Sequence, residues 1–419
     1  MAEVTERPTR RPRVFYGWWV ALSGTGLMLY TTGVGFFGFS SFFDAIRADL
    51  LWTRAQVSLG PAIQAVQTGI LGPFAGYFAD RVGPRFVMAL AMLVGGAGFL
   101  VLAAVQETWH FYLAFVLLGT MGGVSLVVVS TAISNWFIRK RGQALGLAFV
   151  GPGFGGILTV LLVALIEMYG WRITAVITGF GTWAVGIPLA LLLRRRPEDH
   201  GVLPDGDLPS SSPEAEDSPN QPGLAGESTF TTREVLRTPS YWLYVAAISC
   251  QQLAITAFVV HHIPALVSFG FSFRAAGLLV LVFTLASIPM RFFGGYLADR
   301  YDRRVVVAMM LGSQLMGAVL FVFVKGWAAA IAFEIIYGTG WGGSNPARLS
   351  LQGEYWGRGI FGSLMGVQVA AGAAGSLIGP VLVGWVADVE SYRVAFIAPI
   401  PSLAFATALI LLMRRPELK

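Results

Sequence analysis

Arg291 lies inside an apolar run, Ala275 to Ala298, with no acidic residue in its own segment between Arg274 and Asp299. A charge at the centre of a bilayer-length helix costs at least ~2.5–3.5 kcal/mol on insertion scales. Such an arginine needs a partner, a water-filled cavity or an anionic ligand. Its planar guanidinium fork fits a carboxylate through two parallel hydrogen bonds. Two readings are open: an anion-binding group in a transport pathway, or a buried ion pair with Glu334. Glu334 sits in another apolar run, and burial can make a carboxyl a proton carrier. His261 and His262 are further candidates, because histidine titrates near neutral pH; a histidine facing the headgroups is the plainer reading.

The elements that must hold these groups are membrane helices. The 419 residues are 55% hydrophobic and only 12% charged, with mean hydropathy +0.67; a soluble domain carries about 25% charged residues. Bilayer-length runs recur at roughly 17–43, 54–78, 86–105, 110–134, 143–167, 171–193, 241–269, 274–298, 304–324, 327–350, 360–386 and 392–413. Their length and lack of alternation predict helices, not barrel strands, numbered below as spans 1 to 12. The basic pI, about 9.6, does not mark a nucleic-acid binder. Of the 29 Lys and Arg residues, Arg47, Arg54, Arg172, Arg274, Lys325 and Arg393 fall on one side, Arg291 and Arg348 lie in apolar runs, and the rest lie on the other side. That asymmetry predicts cytoplasmic termini in a cell (inner or plasma) membrane protein. The first run is too long for a signal-peptide core, so no cleavage is expected.

Residues 194–238 break the pattern with a Pro-, Ser- and acid-rich stretch, read as a flexible cytoplasmic linker. It divides the chain into a six-helix unit at 1–193 and another at 239–419. The units resemble each other: GYFADRVGPR at 76 recurs as GYLADRYDRR at 295, and RRPE at 195 recurs at 414, each 219 positions on. A parallel duplication follows. The fold expected is an all-α membrane protein of twelve transmembrane helices in two parallel-repeated six-helix bundles.

The repeated stretch has the form Gly-x-x-x-Asp-Arg-x-Gly-x-Arg at Gly76, Asp80, Arg81, Gly83 and Arg85. Its second copy keeps Gly295, Asp299, Arg300 and Arg304 but carries Asp302 at the second glycine. Read alone, each is a tight charged loop. Over nearly its whole length the chain resembles the major facilitator superfamily. The resemblance implies that these loops latch the halves together on the cytoplasmic side, with Asp80 facing the start of span 11 and Asp299 the start of span 5. It also implies a central site served by rocking halves.

A narrower resemblance is to monocarboxylate porters and oxalate/formate exchangers. It rests on Tyr16-Gly17-Trp18-Trp19 at the start of span 1, on Trp136 to Gly142 followed by Leu145-Gly146-Leu147-Ala148 into span 5, and on Arg291, which matches the position of their substrate arginine. The chain departs from them at Tyr16, at Ser287 and in having no lysine in span 1. The resemblance favours the ligand role for Arg291. The Gly-Pro stretches Gly151 to Gly156 and Gly375 to Pro380 loosely match exchanger patterns and keep exchange open.

Tyr30, Gln64, Gln67, Gln251, Gln252, Tyr337 and Asn345 could line a pathway or serve as interhelical glue, at ~0.6 kcal/mol per bond. Four scattered histidines and one cysteine offer no metal spacing. With no nucleophile elbow or Walker loop, neither an enzyme nor a cofactor is expected. The function expected is secondary active transport of a small organic anion, a monocarboxylate moving with H⁺. Arg291, Tyr30, Gln251, Tyr337 and Asn345 would bind substrate, and Glu334 or His261 would couple the proton. The protein is expected to be a monomer in the lipid bilayer, without nucleic acid. The alternatives are an organic-anion exchanger of oxalate/formate type, a drug or cation exporter, and a non-transporting membrane sensor.

Overall fold

The computed structural model describes residues 15–52, 54–206 and 230–415. The basic amino-terminal tail, where no cleavage is expected, and the centre of the linker, expected to be flexible, lie outside the described residues. Twelve membrane-length segments occur among those described. Span 1 runs through helices Tyr16–Tyr30 and Phe39–Leu50, joined by a π-helical stretch at Thr31–Phe37. Spans 2, 3 and 4 are Arg54–Arg81, Pro84–Ala103 and Thr108–Trp136. Span 5 opens at Arg141–Gly153 and continues into Gly155–Gly181, which turns at Gly170 (φ 78°) and leads into span 6, ending at Ile187–Leu192. Spans 7 to 11 are Pro239–Ser268, Phe273–Arg300, Arg303–Val322, Trp327–Trp356 and Phe361–Val389. Span 12 combines Tyr392–Ala395 with Pro399–Leu412.

Spans 3, 4, 7, 8, 9, 11 and 12 are apolar and long enough to cross a bilayer unaided, as is the continuous stretch Leu161–Leu192. Spans 1, 2 and 10 and the start of span 5 are less uniformly apolar. They carry the π-helical stretch, Gln64 and Gln67, Glu334 with Arg348, and the glycine run at Gly151. Polar groups are tolerated at membrane depth where they face protein or a cavity rather than lipid.

The duplication is visible as chemistry. Arg172, opening span 6, donates from Nη1 to the carbonyls of Ala103 (3.1 Å) and Val105 (2.7 Å) at the end of span 3. Arg393, opening span 12, donates to Val322 (2.7 Å) and Val324 (2.6 Å) at the end of span 9. A cation thus satisfies the orphan carbonyls of the same helix end in each half.

The first half packs around Met88, Phe111, Phe115, Trp136 and Phe137. The second half has two cores: one around Tyr241, Tyr244 and Trp356 near the repeated Asp-Arg turns, the other around Phe258, Phe321 and Phe333 towards the opposite face. The halves meet where span 2 crosses span 11 and span 8 crosses span 5. A Cβ on Gly76 would collide with the Gly362 carbonyl, and one on Gly295 with the Gly142 carbonyl. Glycine at these crossings lets the backbones approach closely.

The described ends of the linker are folded rather than loose. Asp205 accepts hydrogen bonds from the backbone N–H groups of Ile138 (3.0 Å), Arg139 (2.8 Å) and Lys140 (3.1 Å), in the turn between spans 4 and 5. Glu198 pairs with Arg358, whose Nη1 also donates to the Asn135 carbonyl across the halves at 2.9 Å. On the far side, Thr231 and Glu234 form a reciprocal capping box that starts the short helix Thr232–Val235.

Candidate functional site

Arg291 is 8% exposed and lies where spans 8, 5 and 10 converge. Its Nη1 donates to the Phe149 carbonyl at 2.6 Å, and its guanidinium carbon sits 5.0 Å from the centre of the Trp341 ring. Phe149 belongs to the first half, Arg291 and Trp341 to the second. No carboxylate pairs with Arg291 among the described residues; its one hydrogen-bond partner there is a neutral carbonyl. A guanidinium with no carboxylate in contact keeps strong donors that an anionic group could use in low dielectric. A Cβ at Gly153 would stand 2.8 Å from the Ile288 side chain, so glycine lets spans 5 and 8 pack closely beside Arg291.

Glu334 does not reach Arg291. It is fully buried in span 10, and its Oε1 shares a 2.9 Å hydrogen bond with His262 Nε2 from span 7. Its Oε2 has no partner among the described residues. His261 turns elsewhere, to the Pro380 carbonyl (2.9 Å) and the Tyr392 hydroxyl (3.4 Å). The two neighbouring histidines diverge because consecutive helical positions point about 100° apart.

The other residues singled out from the sequence fall into separate groups. Tyr337 is buried with its hydroxyl unbonded among the described residues, and it lines a small cavity with Phe258, His262, Phe283, Phe333 and Trp341. Gln251 donates to Ser344 Oγ at 2.9 Å within the second half. Asn345 accepts from Arg348 Nε at 2.8 Å. The Tyr30 hydroxyl contacts Thr178 (3.3 Å) and Thr182 (3.2 Å), joining spans 1 and 6. Tyr337 is thus close to the Arg291–Trp341 contact, while the polar atoms of Tyr30, Gln251 and Asn345 are engaged within their own halves.

The repeated turns bridge the halves. The Asp80 carboxylate accepts from the backbone N–H groups of Gly362 (3.1 Å) and Ser363 (2.8 Å) and from the Ser363 hydroxyl (2.7 Å) at the start of span 11. The Asp299 carboxylate accepts from the N–H groups of Gly142 (2.8 Å) and Gln143 (2.9 Å) at the start of span 5. Each places a negative charge on unpaired donors at a helix start. The second glycine is required only in the first copy: Gly83 adopts φ 108°, whereas Asp302 sits at φ −54° and caps span 9 through Arg304 and Val305 N–H. Arg81 and Arg300 lie over Tyr77 and Tyr296, each 4.7 Å from the ring centre. Arg85 is exposed, and Arg304 Nη1 donates to the Met413 carbonyl at 2.7 Å.

Trp341 and Asp205 are not singled out by the sequence. Glu334, Tyr337 and Trp341 share one face of span 10 at helical spacing, which is a readable signal for Trp341. Which of His261 and His262 meets Glu334 depends on the rotation of span 7. Asp205 lies in a stretch whose composition reads as linker.

The sequence model of the Major Facilitator Superfamily matches residues 24–369 and 263–419. The oxalate:formate antiporter of Oxalobacter formigenes is 25% identical over 386 residues, covering 86% of each chain. Monocarboxylate transporter 13 of Bos taurus is 26% identical over 393 residues, covering 91% of this chain and 85% of the relative. Among solved structures, the transporter FucP in its outward conformation superposes with TM-score 0.72 and 16% identity over 96% of this chain, which shows likeness of fold.

Proposed function

The chain belongs to the Major Facilitator Superfamily, as a multi-pass membrane transporter and not an enzyme, and we propose that it carries a small organic anion, a monocarboxylate, together with H⁺. Arg291 carries this reading. It is a buried cation at the junction of the halves, bound to a neutral carbonyl and resting on Trp341. A carboxylate arriving there would gain charge-assisted hydrogen bonds in low dielectric. The aromatic wall of Phe283, Tyr337 and Trp341 offers an apolar surface for a short acyl chain.

In this reading residues 1–193 and 239–419 are the moving halves, and residues 194–238 join them. The Asp80 and Asp299 turns lie on the cytoplasmic side of the cell membrane, with both termini. They hold the cytoplasmic gate shut, and their release lets the halves rock around Arg291. One copy of the chain suffices for the pathway. The names of the relatives support organic anions as substrates, and an anion exchanger is the second reading because one relative is an oxalate:formate antiporter.

The test is uptake of labelled lactate, formate and oxalate by purified protein in liposomes, with and without an imposed pH gradient. Saturable monocarboxylate uptake accelerated by an inward proton gradient is expected. Counterflow indifferent to the gradient would replace symport by exchange, and failure to move any of the anions would remove the anion reading.

A further inference from the structure

We propose that His262 and Glu334 together form a proton-binding pair whose charge is set against that of Arg291 across Trp341. This rests on the proton-symport reading above and assigns its proton to specific atoms. Three observations carry it. The pair is sealed: Glu334 has no exposed surface, His262 is 7% exposed, and the imidazole is ringed by Phe283, Phe321 and Phe333 at centroid distances of 5.9, 6.0 and 5.5 Å. The pair is incompletely bonded, since Glu334 Oε2 and the Tyr337 hydroxyl have no partner among the described residues. The adjoining cavity, about 20 Å³ by the positions a water centre can occupy, has His262, Tyr337 and Trp341 in its wall. A space of at least ~10–15 Å³ by this measure has room for one water, and here it adjoins the Tyr337 hydroxyl and the His262 ring.

The cavity also links the pair to Arg291. Phe283 meets the His262 ring edge-on and stacks on Trp341 at 5.1 Å, and Trp341 carries the Arg291 guanidinium on its ring. The other ionisable groups on the surrounding helices are otherwise engaged or outside. His261 and Tyr392 contact each other, and Arg393 donates to the Val322 and Val324 carbonyls. Lys325 is exposed, and Arg274 begins span 8, seventeen positions before Arg291. Arg141 and Arg348 are bonded at the latch-side ends of spans 5 and 10.

The coupling follows from charge. In this proposal, with the site empty, an ionised Glu334 offsets the Arg291 cation at a distance, across Trp341, without pairing with it. A carboxylate bound at Arg291 leaves the buried region one negative charge in excess, which low dielectric opposes. One proton from the aqueous side, added to the Glu334–His262 hydrogen bond, restores neutrality and is released to the other side when the anion leaves. An O–H or N–H bond forms on the pair as an O–H bond of hydronium breaks, and the reverse transfer returns the proton to water when the anion leaves.

Infrared difference spectroscopy of the reconstituted protein tests this across mildly acidic to mildly alkaline pH, with and without lactate. A protonated-carboxyl band is expected to titrate in the native protein, to grow when lactate is added at fixed pH, and to vanish in Glu334→Gln. His262→Leu keeps the acid but removes its hydrogen-bonding partner, so the band is expected to persist at a shifted frequency; a partner without bonding contact would leave the frequency unmoved. His261→Gln is expected to leave the band unchanged. A band that survives in Glu334→Gln, or is identical in native protein and His262→Leu, overturns the pair. If that occurs while a pH gradient still drives lactate uptake, symport stands and the assignment falls. If the band behaves as expected while uptake ignores the gradient, the pair stands as a proton site and the symport reading falls.

Discussion

The guanidinium of Arg291 in the second half donates to the backbone carbonyl of Phe149 in the first, across 2.6 Å. A backbone carbonyl cannot neutralise a cation, so the bond holds the side chain in place without exhausting its charge. It also ties the central cation to the other half. In the proposed cycle, binding at this point and rearrangement of the halves would be mechanically connected.

The Asp299 carboxylate spans the halves through two backbone N–H groups. Hydrogen bonds to charged groups contribute about 1.5–3 kcal/mol, so Asp299→Asn is expected to shift the equilibrium away from the latched state by roughly tenfold or more. Spin labels at Arg85 and Tyr301, on opposite halves, report it: a longer-distance population is expected to grow in the variant. An unchanged distance distribution would deny the latch its role.

Gly295 and Gly142 leave no room for a side chain at the span 8–span 5 crossing. Gly295→Ala is expected to destabilise the latched state by about 1–3 kcal/mol, the usual cost of overpacking. The same pair of labels would show it, and because the alanine removes no charge, it separates packing from electrostatics at the gate.

Asp205 holds three backbone donors of the turn before span 5 while itself at φ 60°. Asp205→Ala leaves those donors without the carboxylate and is expected to lower stability by about 1–3 kcal/mol, read as a lower midpoint of thermal unfolding in detergent. Asp205→Asn keeps a side-chain acceptor and tolerates the left-handed backbone, so its loss should be smaller.

The architecture was legible because its signals are coarse. Twelve apolar runs, one break in composition and a repeat at constant spacing require no knowledge of side-chain direction. Arg291 was legible for the same reason, since charge in a bilayer-length run is conspicuous wherever it points. The partners were not. Whether Glu334 meets Arg291 or a histidine depends on the rotation of spans 7, 8 and 10 about their axes, and a chain of apolar residues fixes that rotation only through packing. The fold at 194–206 was hidden differently: Pro and acidic residues read as linker, yet Asp205 and Glu198 find backbone donors and an arginine that only the assembled halves present.

Arg393 and Arg172 cap equivalent helix ends, so their substitutions should behave alike. Arg393→Ala and Arg172→Ala are each expected to lower stability by about 1–3 kcal/mol through unsatisfied carbonyls, measured by thermal unfolding. Since the sites lie in different halves, the losses should add in the double variant.

The most direct test of the central claim is the uptake of labelled lactate, formate and oxalate by Arg291→Lys in liposomes, beside the native protein. Lysine keeps the charge but cannot offer the guanidinium fork. Loss of charge-assisted bonds worth about 1.5–3 kcal/mol predicts a fall in kcat/KM between roughly tenfold and 150-fold for the transported anion. A folded Arg291→Lys protein that carries that anion with native kcat/KM would contradict the assignment of Arg291 as the anion's binding group.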